Sequence, residues 1–298
     1  MSCLVLVSSV SVLRPYLELV RPANVATSLA DVLAGYAVAG LAAPRALPWL
    51  LLSTACLYAG GIVLNDFFDR KLDAVERPER PIPSGRVRAG QAAALGAVLL
   101  AAGLVAAHLA SREAGPVSAA IVAAVLLYDS WGKRQRLLGP VNMGLCRGLN
   151  LCLGMAAVPG TVAAHWPVAI LPLAYIAGVT MVSRGEVSGG RRGVALTALV
   201  LVAVVLVALG GISAFARGSV IWPFVLLGVL SWRVVGAFWK AFASPSPPVI
   251  RAAVRTGVLS LVLVDAVIAA AYADMIYSLA VLLTALLAGW LARQFAVT

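Results

Sequence analysis

The residues best suited to chemistry lie in one stretch, N-D-F-F-D-R-K-L-D-A-V-E-R-P-E-R, at positions 65–80. Five of the twelve acidic residues of the chain fall in this stretch. Asn65, Asp69 and Asp73 are spaced at i, i+4 and i+8, and Asp66 precedes Asp69 by three residues. In a helix these spacings place all four side chains on one face. The stretch therefore predicts a helical stripe of oxygen-bearing side chains.

The ligands of this stripe suit a hard cation. Mg²⁺ takes carboxylate and amide oxygens, usually one or two carboxylates, and completes its shell with water and substrate phosphates. The alternative is a salt-bridged helix end, because the same loop contains the basic residues Arg70, Lys71, Arg77, Arg80, Arg86 and Arg88. The spacing by itself leaves both interpretations open.

The composition indicates which elements position the stripe. The chain has 298 residues, of which 62% are hydrophobic and 12% are charged, and its mean hydropathy is +0.98. A soluble domain carries roughly 25% charged residues. Apolar stretches long enough to cross a hydrocarbon core of ~30 Å recur along the sequence. We therefore predict an all-α, polytopic membrane helical bundle, and we exclude a soluble domain with one anchoring span.

Hydropathy and polar interruptions predict nine or ten transmembrane helices. The ten candidate spans are residues 23–43, 48–68, 89–110, 115–131, 142–160, 165–183, 193–214, 219–239, 253–272 and 276–293. We predict a single domain over residues 1–298, because no Gly/Ser linker interrupts the sequence. Residues 1–15 are interpreted as an interfacial lead-in, and residues 276–293 as an extra C-terminal helix.

The net charge of +11 is best explained by membrane topology. With ten spans, the loops on one side carry only Arg45, Arg112 and Arg217, while most other basic residues fall on the side of the acidic stripe. Loops rich in Lys and Arg stay in the cytoplasm. The sequence thus predicts a multi-pass inner-membrane protein with both termini in the cytoplasm and no nucleic-acid partner. The four cysteines form no C-x-x-C pair, which argues against a zinc site.

Several ionisable residues fall inside predicted spans. An arginine within a span costs roughly 2.5 kcal/mol or more, so it normally faces the protein interior and has a partner. We expect Arg147 to pair with an acid such as Asp31 or with an anionic ligand. Asp265 and Arg233 are predicted to pair with each other across the eighth and ninth spans.

The sequence resembles a known family at several of these positions. N-D-x-x-D-x-x-x-D at 65–73, followed by R-P-I-P-S-G-R at 80–86, is similar to the first aspartate-rich motif of the UbiA family of intramembrane prenyltransferases. L-V-R-P-A-N at 19–24 resembles the Arg-Pro entry to the first helix of that family. The resemblance runs in order over roughly residues 15 to 270. Residues 128–153 and the S-R-G-E segment at 183–186 look most like the EboC branch, which is associated with secondary-metabolite gene clusters.

The resemblance implies a helical bundle around a central cavity that opens laterally to lipid. Two aspartate-rich loops of such a bundle bind a prenyl diphosphate through Mg²⁺. The metal ligands carried across are Asn65, Asp66, Asp69 and Asp73. The resemblance also implies catalytic roles for Asp66, Asp69, Asp73 and Lys133. It implies substrate-binding roles for Asn24, Arg80, Tyr128, Arg134, Arg147, Asn150, Arg184 and Glu186. The implied partners are a prenyl diphosphate, a small-molecule acceptor, membrane lipid and other proteins of a biosynthetic cluster.

The sequence departs from the family pattern in two loops. The second motif should read roughly D-x-x-x-D, but Ser183 stands at the first aspartate and only Glu186 is acidic. Tyr128 and Lys133 are five residues apart rather than four. Two functions therefore stay open. The first is Mg²⁺-dependent transfer of a prenyl group to an unidentified acceptor at the cytoplasmic face. The second is a non-catalytic UbiA-like protein that binds or transports isoprenoid lipids or assists assembly.

Overall fold

The computed structural model describes residues 13–187, 189–217 and 219–294. Within these ranges the chain is helical and contains no β-strand. Helix α1 covers residues 13–20. It is followed by α2 Pro22–Val38, α3 Leu47–Glu76, α4 Ala89–Ala110, α5 Ala114–Ser130, α6 Leu138–Met155, α7 Thr161–His165, α8 Ile170–Ser183, α9 Arg192–Ala214, α10 Ile221–Ala243, α11 Pro247–Tyr272 and α12 Met275–Gln294. The prediction of an all-α helical bundle is confirmed, and most of the predicted lead-in lies outside the described residues.

Among the described residues, seven helical segments are long and apolar enough to cross a membrane. They are α3, α4, the continuous segment Thr161–Ser183 that contains α7 and α8, and α9 to α12. Three other predicted spans correspond to the shorter helices α2, α5 and α6, which have 17, 17 and 18 residues. Both α2 and α6 carry buried ionisable or amide side chains, which lowers their hydropathy. A multi-pass protein is thus confirmed, whereas ten spans and cytoplasmic termini are not supported.

Helix α3 positions the acidic stripe. Its 30 residues extend about 45 Å at 1.5 Å per residue, which exceeds a hydrocarbon core of ~30 Å. The apolar part of α3 lies in the bundle, and the stripe follows at its C-terminal end. The helix ends at Glu76, because Pro78 cannot continue the backbone hydrogen-bond pattern. The stripe consequently lies at one end of the bundle, together with the loops after α5, α8 and α10.

Helices α2 and α6 pack in direct backbone contact through two glycines. A Cβ atom on Gly35 would overlap the carbonyl oxygen of Leu151, and one on Gly154 would overlap the backbone of α2. Small residues allow helices in membranes to approach this closely. Asp31 and Asn150 each lie one turn before these glycines, on the same helix faces. The close approach therefore brings Asp31 against the polar side chains of α6.

Helices α11 and α12 complete the bundle against α2. The Tyr277 hydroxyl donates to the carbonyl oxygen of Leu33 at 2.9 Å. Asp265 on α11 is fully buried next to Asp31. The predicted ion pair between Arg233 and Asp265 is wrong, because Arg233 Nε points instead to Ser260 Oγ at 3.5 Å. Asp265 thus belongs to the interior around α2.

Candidate active site

A cavity of about 240 Å³ lies between α2, α3, α5 and α6, below the acidic stripe. Its walls include the apolar side chains Leu57, Ile62, Ile121, Val125 and Met143. Its polar lining residues are Arg21, Asn24, Thr54, Tyr58, Asn65, Tyr128, Asp129, Arg147 and Asn150. The cavity is therefore largely apolar, with polar groups at defined points.

Lys133 connects the stripe to the loop after α5. It lies in the short 3₁₀ segment Gly132–Arg134, which directly follows α5. Its Nζ lies 2.7 Å from Asp69 Oδ1 and donates to Asn65 Oδ1 at 3.0 Å. Asn65 and Asp69 are one helical turn apart, so both oxygens point at the same place. Two oxygen ligands thus converge on one positive charge beside the cavity.

Arg80 neutralises the other two carboxylates of the stripe. Asp66 and Asp73 are only 3% and 4% exposed, and they lie seven residues apart on the same face of α3. The Nη1 of Arg80 lies 2.8 Å from Asp73 Oδ2 and 3.4 Å from Asp66 Oδ1. The loop after α3 folds back to bring this guanidinium over the helix end. Pairing of this kind offsets the desolvation cost of burying the two carboxylates.

Arg21 completes the charge pairing from the junction of α1 and α2. Its Nη2 donates to Asp66 Oδ1 at 2.7 Å, and the side chain lines the cavity. The backbone of Arg21 is left-handed, with φ of 50°. A non-glycine residue in this region costs about 1–3 kcal/mol and is retained where the surroundings fix it. The Arg21–Asp66 ion pair and the helix start at Pro22 provide that constraint.

The donor set fits Mg²⁺. Asn65 and Asp69 offer one amide and one carboxylate oxygen about a single point, which the Lys133 ammonium occupies. The described part of the chain contains no group of three or more His, Cys, Asp or Glu side chains that could hold a metal ion without another ligand. Mg²⁺ typically binds through one or two carboxylates plus substrate phosphates. The stripe thus matches a cation that is shared with a phosphorylated ligand.

A buried polar network forms the inner end of the cavity. Arg147 Nη1 lies 2.9 Å from Asp31 Oδ2, so the expected pairing of Arg147 with Asp31 is confirmed. The Nη2 of Arg147 donates to the hydroxyls of Thr27 and Tyr58 at 3.1 and 3.0 Å. Asn150 donates to Asp31 Oδ2 at 2.9 Å. These contacts tie α6 to α2 and α3 and fix the shape of the cavity.

The loop after α8 approaches the site through backbone contacts. Arg184 Nη2 donates to the carbonyl oxygens of Lys133 and Gln135, so it anchors the segment that carries Lys133. The Glu186 carbonyl oxygen accepts from Arg251 Nη1 at 2.9 Å. Partial burial raises the pKa of the Glu186 carboxyl group, and the nearby charges of Arg251 and Arg77 oppose this rise. Neither Arg184 nor Glu186 is among the described residues that line the cavity.

The remaining predicted site residues are distributed around the cavity. Asn24, Tyr128 and Asn150 line it, and Arg134 is exposed beside Lys133. The structure adds two residues to which the sequence analysis gave no role, Arg21 and Asp129. Arg21 had a signal, since it belongs to the Arg-Pro segment at 19–24. Asp129 had none beyond being an acid next to Tyr128, because its burial depends on how α5 packs.

Comparison with known proteins identifies relatives of this chain. The sequence profile of the UbiA prenyltransferase family matches residues 28–242. A digeranylgeranylglyceryl phosphate synthase from Methanopyrus kandleri is 30% identical over 241 residues, which cover 75% of this chain and 86% of the relative. A protein of the same name from Ignicoccus hospitalis is 45% identical over 121 residues, which cover 39% of this chain and 37% of that relative.

Solved structures show the same fold. A structure of a digeranylgeranylglyceryl phosphate synthase aligns with a TM-score of 0.67 at 20% identity, covering 88% of this chain and 99% of that protein. A UbiA homologue from Archaeoglobus fulgidus bound to GPP and Mg²⁺ aligns with a TM-score of 0.59 at 17% identity, covering 90% and 99%. The profile match and the relative from M. kandleri together establish that the chain belongs to the UbiA prenyltransferase family.

Proposed function

We propose that this protein transfers a prenyl group from a prenyl diphosphate to an acceptor, with Mg²⁺ bound at the stripe. The observation that carries the proposal is the convergence of Asn65, Asp69 and Lys133 at the edge of an apolar cavity. A cation site and a positive charge next to an apolar chamber suit a ligand with a diphosphate head and a hydrocarbon tail. The relatives and the GPP-bound homologue support this assignment.

The polar residues at the stripe receive distinct roles in this proposal. Mg²⁺, when bound, supplies charge stabilisation to the departing diphosphate. Asn65 and Asp69 hold the cation, while Asp66 and Asp73 complete the acidic face that Arg80 keeps in place. Lys133 leaves Asp69 and contacts the diphosphate oxygens, as preorganised positive groups do where charge develops in a transition state.

The cavity protects the prenyl group as its bond to oxygen breaks. The apolar side chains exclude water, which would otherwise capture a carbocation. Tyr128 lines the same space, and we assign its aromatic ring to the stabilisation of positive charge. The ring of Tyr58 also lines the cavity, but the guanidinium of Arg147 already lies over it at 4.8 Å. Asn24, Arg147 and Asn150 are assigned to the cavity lining. Arg134, Arg184 and Glu186 are assigned to the rim beside the diphosphate.

The names of the relatives suggest a substrate class. Those proteins are synthases of a glyceryl phosphate that carries two geranylgeranyl groups. We propose geranylgeranyl diphosphate as the donor and a hydroxyl-bearing glyceryl phosphate lipid as the acceptor. Membership of the EboC branch stays a prediction, and so does association with other proteins of a biosynthetic cluster. The relatives from M. kandleri and I. hospitalis are named as synthases instead.

We further propose that residues 1–298 form one UbiA-like domain. The family profile ends at residue 242, before α11 and α12. These helices nevertheless pack on α2, through Tyr277 and Leu33 and through Asp265 and Asp31. Both contacts fall in the helix that also borders the cavity. Removal of α11 and α12 would therefore take away the buried contacts that α2 makes with these two helices.

The proposal is tested with the full-length protein in lipid vesicles. Geranylgeranyl diphosphate and geranylgeranylglyceryl phosphate are supplied with Mg²⁺ or EDTA, and the prenylated product is measured by mass spectrometry. We expect product with Mg²⁺ and none with EDTA. Asp69→Asn should lower the rate about 100-fold or more, whereas Glu76→Gln, an exposed acid on the same helix end, should retain it. An Asp69→Asn variant as active as wild type would refute the assigned mechanism.

A non-catalytic lipid-binding protein is the second candidate. It is favoured by the loop after α8, which corresponds to the second aspartate-rich motif of the family. There the Ser183 hydroxyl donates to the Thr180 carbonyl oxygen of its own helix, and the backbone carbonyl of Glu186 accepts from Arg251. This candidate predicts Mg²⁺-dependent binding of geranylgeranyl diphosphate, measured by calorimetry, without release of diphosphate. Diphosphate release by the wild type excludes it.

A further inference from the structure

Asp129 is a buried carboxylate that the assigned roles leave unused. It lies at the C-terminal end of α5, is 3% exposed and lines the same cavity as Asn65 and Tyr128. Its Oδ2 has no hydrogen-bond partner among the described residues. The amide of Asn142, which faces the end of α5, donates to the Ala124 carbonyl instead. The side chain thus presents an unsatisfied acceptor at the cavity wall.

The neighbouring acids differ from Asp129 in their pairing. Asp66 and Asp73 contact Arg80, and Asp69 contacts Lys133, all within 3.4 Å. Within the described ranges Asp129 has no basic nitrogen within 4.0 Å. A buried hydrogen-bond acceptor without a donor destabilises the folded state. Such a group commonly marks a place where a ligand or an ion binds. The group that would satisfy Asp129 is a hydrogen-bond donor inside the cavity.

A donor hydroxyl fits this position better than a second metal ion. A metal would need further oxygen ligands about Asp129, and the described residues show no second oxygen that converges with it on one cation, as Asn65 and Asp69 converge on Lys133. The carboxylates of the stripe are already engaged by arginine and lysine. A hydroxyl group needs only one strong acceptor, and an unpaired carboxylate is a strong acceptor. The apolar walls around Asp129 suit the hydrocarbon part of a lipid alcohol.

We propose that Asp129 is the catalytic base that binds the hydroxyl group of the acceptor and takes its proton. This inference rests on the proposed prenyl transfer. The bond between the prenyl carbon and the diphosphate oxygen breaks, and its electron pair leaves with the diphosphate. A lone pair of the acceptor oxygen forms the new bond to the prenyl carbon. The hydroxyl proton passes to the Asp129 carboxylate, so atoms and charge balance without a further reactant.

The surroundings of Asp129 favour proton uptake. Asp66 and Asp69 on α3 bring negative charge near the carboxylate, while Lys133 brings an opposing positive charge. Cys146 on α6 and Tyr128 on α5 are the other titratable groups nearby. Burial against an apolar wall and, to a smaller extent, the nearby carboxylates of Asp69 and Asp66 disfavour an anion at this position. The carboxylate is therefore poised to accept a proton from a bound hydroxyl.

Asp129→Asn tests the inference, because the amide keeps the shape of the side chain and removes the base. We use the full-length protein in vesicles with geranylgeranyl diphosphate, geranylgeranylglyceryl phosphate and Mg²⁺. We expect kcat for transfer to fall about 100-fold or more, with the Kd for geranylgeranyl diphosphate unchanged within about twofold. Ser130→Ala, an exposed neighbour on α5, should behave as wild type.

The pH profile separates a base from a structural residue. Wild-type kcat should fall at low pH, where the carboxylate is protonated, and the residual rate of Asp129→Asn should lack this acidic limb. If Asp129→Asn fails to fold, Asp129→Glu replaces it, and we expect reduced transfer that retains the limb. A limb missing from Asp129→Glu would overturn the inference.

The outcomes distinguish this inference from the proposed function. Wild-type transfer with undiminished transfer by Asp129→Asn overturns the role of Asp129 and leaves prenyl transfer intact. Loss of geranylgeranyl diphosphate binding by Asp129→Asn also overturns it, because Asp129 would then act at the diphosphate. No product from wild type with any hydroxyl acceptor overturns prenyl transfer to an alcohol and this inference together.

Discussion

Lys133 and Asp69 form an ion pair of 2.7 Å that joins the loop after α5 to the C-terminal end of α3. The same Nζ also contacts Asn65 Oδ1 at 3.0 Å. The ammonium therefore occupies the point at which the two proposed metal ligands converge. Binding of a cation requires Lys133 to move, and the diphosphate that accompanies the cation gives it a new partner.

Replacement of Lys133 should consequently have two opposite effects. Lys133→Met removes a competitor for Asn65 and Asp69, so Mn²⁺ alone should bind about tenfold more tightly, equivalent to about 1.4 kcal/mol. Prenyl transfer should fall about 100-fold because the departing diphosphate loses a positive partner. Electron paramagnetic resonance titration and product formation measure the two quantities. Lys71→Met, an exposed lysine on the same helix, is the control. Weaker metal binding by Lys133→Met would contradict the proposed competition.

Arg80 should be essential for stability. Arg80→Met leaves Asp73 buried without its ion-pair partner and weakens the neutralisation of Asp66. Loss of one partner from a buried ion pair destabilises a protein by about 3–5 kcal/mol. Thermal unfolding in detergent should show a clearly lower Tm, with Arg77→Met, an exposed neighbour, as the control.

A second substitution tests the reason for that loss. Asp73→Asn in the Arg80→Met background removes the unpaired charge and should restore part of the stability. Equal Tm values for the single and double variants would show that the buried charge is not the cause.

The contact between α2 and α6 should tolerate no added methyl group. Gly154→Ala would force apart the backbones that bring Asp31 to Arg147 and Asn150. Overpacking of this kind costs about 1–3 kcal/mol. Gly289→Ala on α12 meets open space and should be neutral or stabilising by about 0.5–1 kcal/mol. Unfolding in detergent compares the two variants, and equal Tm values would refute the close packing.

Glu186 should make stability depend on pH. Its folded-state pKa is raised by burial, so the charged form is disfavoured in the folded protein. The destabilisation is absent at pH below the unfolded-state pKa, near 4.5, and develops as the pH rises through the raised folded-state value. Glu186→Gln should thus be no more stable than wild type at pH 4 and more stable at pH 8. The Tm difference measured across this range should grow with pH, and a constant difference would contradict the assignment.

The sequence predicted those features that depend on local spacing. The face shared by Asn65, Asp66, Asp69 and Asp73 follows from helical periodicity, and the end of α3 follows from Pro78. The all-α membrane fold follows from the repeated apolar stretches. The count of ten spans is not supported, because α2 and α5 have only 17 residues and because α2 and α6 bury polar side chains that lower their hydropathy.

The sequence could not predict which residues form ion pairs at the site, because those pairs depend on how helices that are distant in the chain pack together. Asp69 and Lys133 are 64 positions apart, and Arg147 and Asp31 are 116 apart. The sequence identified the ionisable residues but paired Arg233 with Asp265, where the fold places Asp265 beside Asp31. Nothing local to Asp129 marked it as buried without a partner. The amino-acid sequence determines which side chains share one face of a helix. The close approach of α2, α3, α5 and α6 in the tertiary structure determines which charged side chains form pairs.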